Sequence, residues 1–152
     1  MKRRQTIPEQ WLIVDRAFDR ELWKTLRILP RGSGVLILIV LSAREWRRLR
    51  RLAMQRDLTL VTEGLGLAAR VHNSRELTTA MLQRSALILL SPIYRTRSHP
   101  DWQPLERMRA ATLARLGGRR LIALGGMKAK RFERIAPLGF VGWAGISAWS
   151  RA

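Results

Sequence analysis

The chain lacks cysteine altogether and has no hydrophobic run long enough to cross a membrane. Without cysteine it cannot form disulfides or thiolate metal sites, and nothing in it requires an oxidising compartment. The longest apolar run is Val35–Leu41, whereas a membrane-spanning helix needs roughly 20 residues. The first ten residues include basic side chains but neither the apolar core nor the cleavage site of a signal peptide. We therefore expect a soluble, cytoplasmic protein without membrane association.

Acidic residues are also scarce, because 11 Asp and Glu oppose 29 Lys and Arg and leave a formal net charge of +18. Such a charge is found in proteins that neutralise nucleic-acid phosphates, and also in helices with arginine-rich solvent faces. The basic residues are spread along the whole chain, and the densest cluster, at 44–56, has the spacing of an amphipathic packing helix. The solvent-face interpretation is favoured, and nucleic-acid binding is kept as an alternative.

Short apolar runs alternate with stretches of helical spacing along the 152 residues, a length typical of one domain, 1–152. The runs are rich in Leu, Ile and Val without polar alternation, which indicates strands of a parallel sheet buried on both faces. They predict strands at Trp11–Val14, Val35–Val40, Leu58–Thr62, Ala69–His72, Leu87–Leu90, Leu121–Leu124 and Phe140–Trp143. The stretches between them predict helices at Asp19–Arg27, Ala43–Arg56, Ser74–Arg84, Pro104–Leu116 and Lys128–Ile135. This order is typical of an open doubly wound sheet or of a β/α barrel.

The segment between Thr62 and Val71 is too short for an ordinary crossover helix, because only about eight residues separate the two strands there. In a barrel, one βα unit would have been trimmed at this point. An incomplete barrel exposes strand edges that a second copy of the chain could cover, so a homo-oligomer is a candidate assembly. No Gly-x-Gly-x-x-Gly sequence opens a helix after the first strand, so a dinucleotide fold has no direct support.

Three segments near the C-terminus combine a strand with a small or hydroxyl-rich loop. They are the stretch from Leu89 to Pro100, the stretch from Ile122 to Met127 with its paired glycines, and the stretch from Gly142 to Trp149. Glycines at the end of a strand let backbone N–H groups approach a phosphate, and a helix N-terminus adds to such a site. Barrels place this anion site after their last two strands, so the sequence predicts a phosphorylated small-molecule ligand.

These segments resemble the family of thiamine phosphate synthase and its relative, thiazole tautomerase. The family's sixth strand, G-P-V-F-x-T-x-T-K, is similar to S-P-I-Y-R-T-R-S-H at 91–99, and its seventh, A-I-G-G-I, to A-L-G-G-M at 123–127. The eighth strand, G-V-A-V-V-S-A-I, is similar to the segment that runs from 142 to A-G-I-S-A-W at 144–149. The family's fifth strand ends V-H-S-x-E-E-A, similar to V-H-N-S-R-E at 71–76, and its first, L-Y-L-I-T-D, is similar to W-L-I-V-D at 11–15.

The resemblance implies a TIM-type (β/α) barrel, shortened by about one βα unit, whose ligand phosphate binds to the loops of the last two strands. Carried over residue by residue, it assigns the phosphate to Gly125, Gly126, Ile146 and Ser147. It places Thr96 and Ser98 near the thiazole, and His99 where the family has a lysine that meets the second substrate's pyrophosphate. His72 matches the histidine that acts as general acid or base in the tautomerase. For both histidines a purely structural interpretation stays open, as a helix-start residue for His72 and a solvent-exposed loop residue for His99.

Other segments depart from the family pattern. The family's second strand binds pyrimidine pyrophosphate through Q-L-R-x-K, whereas this chain has only apolar residues at 37–40. The third strand in the family ends in Asn-Asp, with the aspartate on magnesium; here Glu63 is the substitute candidate ligand for Mg²⁺. The unit that supplies a second aspartate is the one that is missing.

The resemblance therefore implies a thiamine phosphate synthase-like protein of thiamine biosynthesis. In that family, a thiazole phosphate is joined to an aminopyrimidine pyrophosphate, and catalysis consists mainly of positioning and charge stabilisation. The half-site for the phosphate-bearing substrate is retained here, and much of the other half-site is absent. A thiazole tautomerase-like enzyme and a non-catalytic phosphate-ligand binder are the alternatives, with a basic nucleic-acid-binding domain as a further one.

Overall fold

The computed structural model describes residues 7–63 and 67–149. It contains seven β-strands and five α-helices that alternate along most of the chain. The strands are β1 (Gln10–Val14), β2 (Gly34–Ile37), β3 (Thr59–Thr62), β4 (Ala68–Val71), β5 (Leu87–Leu90), β6 (Leu121–Leu124) and β7 (Gly142–Gly145). The helices are α1 (Arg20–Ile28), α2 (Ala43–Arg56), α3 (Ser74–Leu82), α4 (Arg107–Gly117) and α5 (Ala129–Ile135). Among the described residues, no helix is long and apolar enough to cross a membrane.

The seven strands form one parallel sheet in the order β3-β2-β1-β7-β6-β5-β4. The first strand pairs with both the second and the last, as in a closed barrel, but β3 and β4 remain the two edges of the sheet. The sheet curls into an incomplete TIM-like barrel. The prediction of a shortened TIM-type barrel is therefore confirmed, and the opening lies where the sequence predicts the missing unit.

Side chains from every strand meet inside the curled sheet. The inner cluster consists of Trp11, Ile13, Leu36, Ala68, Leu87, Leu89, Ile122 and Ala144, with Val61 packed against it. Trp11 is only 2% exposed, and its Nε1 donates a hydrogen bond to the carbonyl of Pro8 at 2.7 Å. A Cβ at Gly34 would collide with the Trp11 ring, so this glycine leaves room for the tryptophan. The tryptophan thus fills the interior near the amino ends of the strands.

The helices cover the outer face of the sheet in two groups. Helices α1 and α2 pack on β1 and β2, in a cluster that includes Leu26, Leu49 and Val35. Helices α3, α4 and α5 pack on β4 to β7, in a cluster that includes Leu77, Leu113 and Phe132. Side chains of the residues preceding α1, α2 and α3 accept hydrogen bonds from the first turn of each helix, as N-caps do: Asp19, Ser42 and Asn73.

The connection between β3 and β4 is short, because β3 ends at Thr62 and β4 begins at Ala68. Glu63 and Arg70 connect the two edge strands across this opening through an ion pair in which the Arg70 Nη2 to Glu63 Oε1 distance is 3.1 Å. Strand β3 is correspondingly less buried than the other strands, with Thr59 exposed and its remaining residues half-buried. The trimmed unit therefore leaves the outer side of β3 thinly covered.

Several predicted boundaries were wrong. Strand β2 ends at Ile37 and not at Val40, and the last strand is displaced to Gly142–Gly145 from the predicted Phe140–Trp143. Helix α4 begins at Arg107, three residues after the predicted Pro104. The predicted helical tail after Ser147 is a turn at Ala148 and Trp149 in the described part of the chain, and residues 150–152 lie outside it.

Candidate functional site

The carboxyl ends of the seven parallel strands meet at one edge of the sheet, and the loops that follow them form the candidate site. Four of these loops carry the residues singled out in the sequence. His72 follows β4, the loop from Ser91 to Gln103 follows β5, Gly125 and Gly126 follow β6, and Ile146 and Ser147 follow β7. Parallel pairing therefore brings the predicted residues of four separate segments to the same edge.

The glycine loop after β6 packs tightly against the loop after β5. Gly125 and Gly126 have φ angles of +100° and +59°, values that residues with a side chain rarely adopt. The amide of Tyr94 donates a hydrogen bond to the carbonyl of Gly125 at 3.1 Å. A Cβ at Gly125 would lie 3.0 Å from the Cα of Pro92, and a Cβ at Gly126 would collide with the carbonyl oxygen of Arg95. A side chain at either glycine would therefore displace the loop after β5.

Arg131 lies at the rim of this glycine loop. Its Nη1 donates a hydrogen bond to the carbonyl of Gly126, and its guanidinium lies 4.8 Å from the centre of the Tyr94 ring. The aromatic face and the carbonyl together hold a positive charge beside the loop. A phosphate bound to the loop's backbone N–H groups would thus meet a guanidinium that the sequence analysis did not identify.

The end of β7 lies next to the glycine loop. A Cβ at Gly145 would be 3.6 Å from the carbonyl oxygen of Met127, so the two loop starts are neighbours. Ile146 and Ser147 are exposed at this edge. Beyond them, Trp149 stacks on Trp143 with ring centroids 5.0 Å apart and an interplanar angle of 13°, which anchors the loop to the packed outer face.

The loop after β5 carries the two hydroxyl residues and the second histidine. The amide of Ser98 donates to Oγ1 of Thr96 at 3.2 Å, so the Thr96 hydroxyl closes a local turn. Ser98 and His99 are exposed. The His99 ring stacks on Trp102, with centroids 4.4 Å apart and an interplanar angle of 15°. His99 is therefore placed against an aromatic ring, a contact that the sequence pattern did not predict.

His72 is held by Glu76, which lies one turn away in α3. Nδ1 of His72 is 2.9 Å from Oε2 of Glu76, and the backbone amide of His72 donates to the same oxygen at 2.8 Å. The hydrogen bond from the His72 side chain is the main reason that the pKa of Glu76 lies below its usual value of 4.5. The His72 ring also contacts Trp102 edge-on, with centroids 5.4 Å apart and an interplanar angle of 82°.

A shallow hollow of about 430 Å³ opens beside His72. It is lined by His72, Pro92, Trp102, Gln103 and Leu105. Pro92 belongs both to this hollow and to the surface against which Gly125 packs, so the hollow and the glycine loop adjoin. An apolar wall with a few polar groups is typical of small-molecule sites.

Glu63, the candidate metal ligand, forms an ion pair with a neighbouring arginine. Glu63 pairs with Arg70 at 3.1 Å, and residues 7–63 and 67–149 contain no group of three or more His, Asp or Glu that could hold a metal ion. Mg²⁺ normally requires carboxylates together with waters or substrate phosphates. The donor groups of the described residues therefore do not fit a magnesium site built by the protein alone.

Sequence reasoning missed three residues of the site: Glu76, Trp102 and Arg131. Glu76 could have been found, because it lies four positions after His72 and three after the N-cap Asn73, where a glutamate reaches back over the helix start. Trp102 and Arg131 gave no such signal, because their contacts depend on how separate loops meet.

Comparisons with known proteins agree with this architecture. The family model described as thiamine monophosphate synthase matches residues 50–149, which is more than half of the chain. No curated protein sequence matches the chain. Among solved structures, the chain is similar to thiamine phosphate pyrophosphorylase from Pyrococcus furiosus, with a TM-score of 0.73 and 16% identity over 95% of this chain and 88% of the other. The chain belongs to the thiamine monophosphate synthase family.

Proposed function

We propose that the protein binds a phosphorylated thiazole of thiamine biosynthesis, either thiazole phosphate or thiamine phosphate. The observation that carries this proposal is the glycine loop after β6, which lies beside the exposed start of the β7 loop in a chain of this family. Backbone N–H groups of Gly125, Gly126, Ile146 and Ser147 would bind the phosphate, and the Ser147 hydroxyl would add a donor. Arg131 would add a positive charge.

The heterocyclic ring of this ligand would extend from the glycine loop into the hollow beside His72. The two features adjoin at Pro92, and the wall formed by Pro92, Trp102 and Leu105 suits a flat ring. Thr96 lies next to Arg95, whose carbonyl packs against Gly126, so a hydroxyl is available near the phosphate end. His72 is then the group placed to exchange a proton with the ring.

Joining of this ligand to an aminopyrimidine pyrophosphate has less support. The chain after β2 carries Leu38, Ile39 and Val40, and Val40 is 99% exposed, so this position offers apolar surface in place of charged ligands. Glu63, at the end of β3, is committed to Arg70. A tautomerase-like proton transfer at His72 needs neither of these positions, and the bond between His72 and Glu76 favours it over the synthase reaction.

A thermal-shift comparison tests the binding proposal. A ligand that binds only the folded protein stabilises it by about 2.7 kcal/mol at 100 times its Kd. We expect thiazole phosphate and thiamine phosphate to raise Tm, and pyrophosphate or sulfate at matched ionic strength to raise it less. Equal shifts with all four compounds would mean that the protein binds anions without preference for the thiazole, which contradicts the proposal. The absence of any shift would also contradict it.

The reaction is tested separately with both substrates of the synthase and Mg²⁺. We expect little or no thiamine phosphate, because neither the residues after β2 nor Glu63 offers free charged ligands. Sustained turnover would show that other residues bind the pyrophosphate and would contradict the preference for proton transfer.

A further inference from the structure

The carboxylate of Glu76 is fixed by contacts on both of its oxygens. Oε2 accepts from the backbone amide of His72 at 2.8 Å and lies 2.9 Å from its Nδ1, and Oε1 accepts from Nδ2 of Asn73 at 2.9 Å. The backbone amide of Glu76 donates in return to Oδ1 of Asn73 at 2.9 Å. The carboxylate therefore cannot rotate away from the imidazole without breaking bonds that also define the start of α3.

This geometry determines which ring nitrogen of His72 carries the proton. An ionised carboxylate only accepts hydrogen bonds, so the Nδ1 that faces Glu76 must be the protonated nitrogen of a neutral imidazole. The lowered pKa of Glu76 means that its carboxylate remains ionised at neutral pH. Nε2 is then the nitrogen with a free lone pair, on a residue that lines the hollow.

Trp102 restrains the same ring from another side. It contacts His72 edge-on, and its own ring is covered by the stacked His99. A general base must be held within hydrogen-bond reach of the proton it takes, and the half-buried imidazole of His72 gains that placement from its neighbours. Glu76, in α3, and Trp102, in the loop after β5, hold the His72 ring in place.

We infer that Glu76 is a positioning residue that fixes His72 as the Nδ1–H tautomer and directs Nε2 to a ligand in the hollow. The identity of that ligand rests on the proposed function. The proton step is balanced without a co-reactant: Nε2 takes a proton from one atom of the ligand and returns it to another, so the ligand is isomerised. Capping of α3 explains why Glu76 accepts hydrogen bonds from the backbone amide of His72 and from the side-chain amide of Asn73. It does not require the bond to Nδ1 of His72.

Nitrogen-15 NMR of the imidazole rings tests the tautomer directly. The chain has only two histidines, so the signals that disappear in a His99→Gln variant identify those of His99, and the remaining signals of the native protein belong to His72. In the native protein with a neutral imidazole, we expect His72 to show a protonated Nδ1 and an unprotonated Nε2. A free imidazole favours the opposite tautomer, so an Nε2–H signal for His72 would overturn the inference even if no variant of Glu76 folded.

Two variants separate positioning from capping. In Glu76→Ala we expect the Nε2–H tautomer to become the major form. Glu45→Ala removes the corresponding glutamate of the capping box at α2 and serves as a matched control, in which the His72 signals should be unchanged. Unchanged signals in Glu76→Ala, or equal changes in both variants, would contradict the assignment.

The functional consequence is measured by exchange of thiazole phosphate ring protons with deuterated water. We expect Glu76→Gln to slow this exchange roughly tenfold, less than the factor of about 100 or more that a general acid or base itself contributes, with little change in ligand affinity. Weakened binding with an unchanged rate per bound ligand would contradict a positioning role. Absence of any binding to the native protein would refute the proposed function and leave the NMR result standing.

Discussion

At Gly126 the backbone adopts a left-handed conformation, and the carbonyl of Arg95 fills the space that a Cβ would need. The paired glycines therefore serve the packing of two loops as well as the approach of a ligand. A substitution at Gly126 would displace the loop after β5 together with any bound anion. Residues at the rim of the loop can be replaced by smaller side chains without displacing the backbone, so they give a cleaner test of the anion site.

Arg131 is such a residue. We expect Arg131→Gln to weaken binding of thiazole phosphate by about 1 kcal/mol, or roughly fivefold in Kd, because a guanidinium contact with phosphate is lost from an exposed site. Lys130→Gln removes the same charge one residue away in α5 and is the matched control, which we expect to change Kd less. Isothermal titration calorimetry measures both values. Equal weakening in the two variants would mean that Arg131 acts only through net charge.

At the scale of secondary structure, the sequence predicted the five α-helices and seven strands found in the described residues, because buried apolar runs and capping residues act locally. Ends of strands were less predictable. Leu38, Ile39 and Val40 continue the apolar run of β2, but the strand ends at Ile37 because the neighbouring strands end at Val14 and Thr62. Pairing length is set by neighbours distant in sequence, and composition alone does not reveal it.

In the candidate site, too, single residues were predictable from the sequence and contacts between separate loops were not. Sequence motifs located the glycines and His72, since their conformational and chemical properties belong to single residues. The contacts of Trp102 with both histidines join residues from two loops, so no local pattern contains them. The proposed roles of Gly125, Gly126 and His72 stay predictions, as do those of Ile146, Ser147, Thr96, Ser98 and His99.

The capping box of α2 predicts a specific acid sensitivity. Bonds from the Ser42 hydroxyl and backbone hold the pKa of Glu45 below its usual value of 4.5. Because the folded pKa is the lower one, this stabilisation is complete above the unfolded value and is lost as pH falls through the folded value. We expect the free energy of unfolding of Glu45→Gln to fall less between about pH 5 and pH 3 than that of the native chain.

Urea unfolding at several pH values measures this effect. Glu106→Gln is the matched control, because Glu106 precedes α4 and its side chain makes no capping hydrogen bond there. The control should follow the native acid dependence. Identical slopes for the Glu45 and Glu106 variants would contradict the capping explanation.

For the whole molecule, the net charge of +18 controls how copies of the chain meet one another and other polymers. Repulsion between copies opposes pairing of the open β3 and β4 edges, and salt screens this repulsion. We therefore expect a monomer at low ionic strength and any dimer to increase with salt, as measured by sedimentation. Nucleic-acid binding should show the opposite trend, because salt weakens it steeply. Tight RNA or DNA binding that weakens steeply with salt would revive the nucleic-acid alternative.

The open order of the sheet also determines how the molecule loosens. β7 lies at the centre, paired with β1 and β6, whereas β3 and β4 each have a single paired neighbour. Backbone amides should therefore exchange with deuterated water first in the two edge strands and last at the centre, since edges can open without disturbing the remaining ladder. A closed barrel has no edge strand that could exchange before the others. Hydrogen-exchange mass spectrometry should reveal a gradient from the gap to the opposite side, and His72, at the end of β4, lies on its fast side.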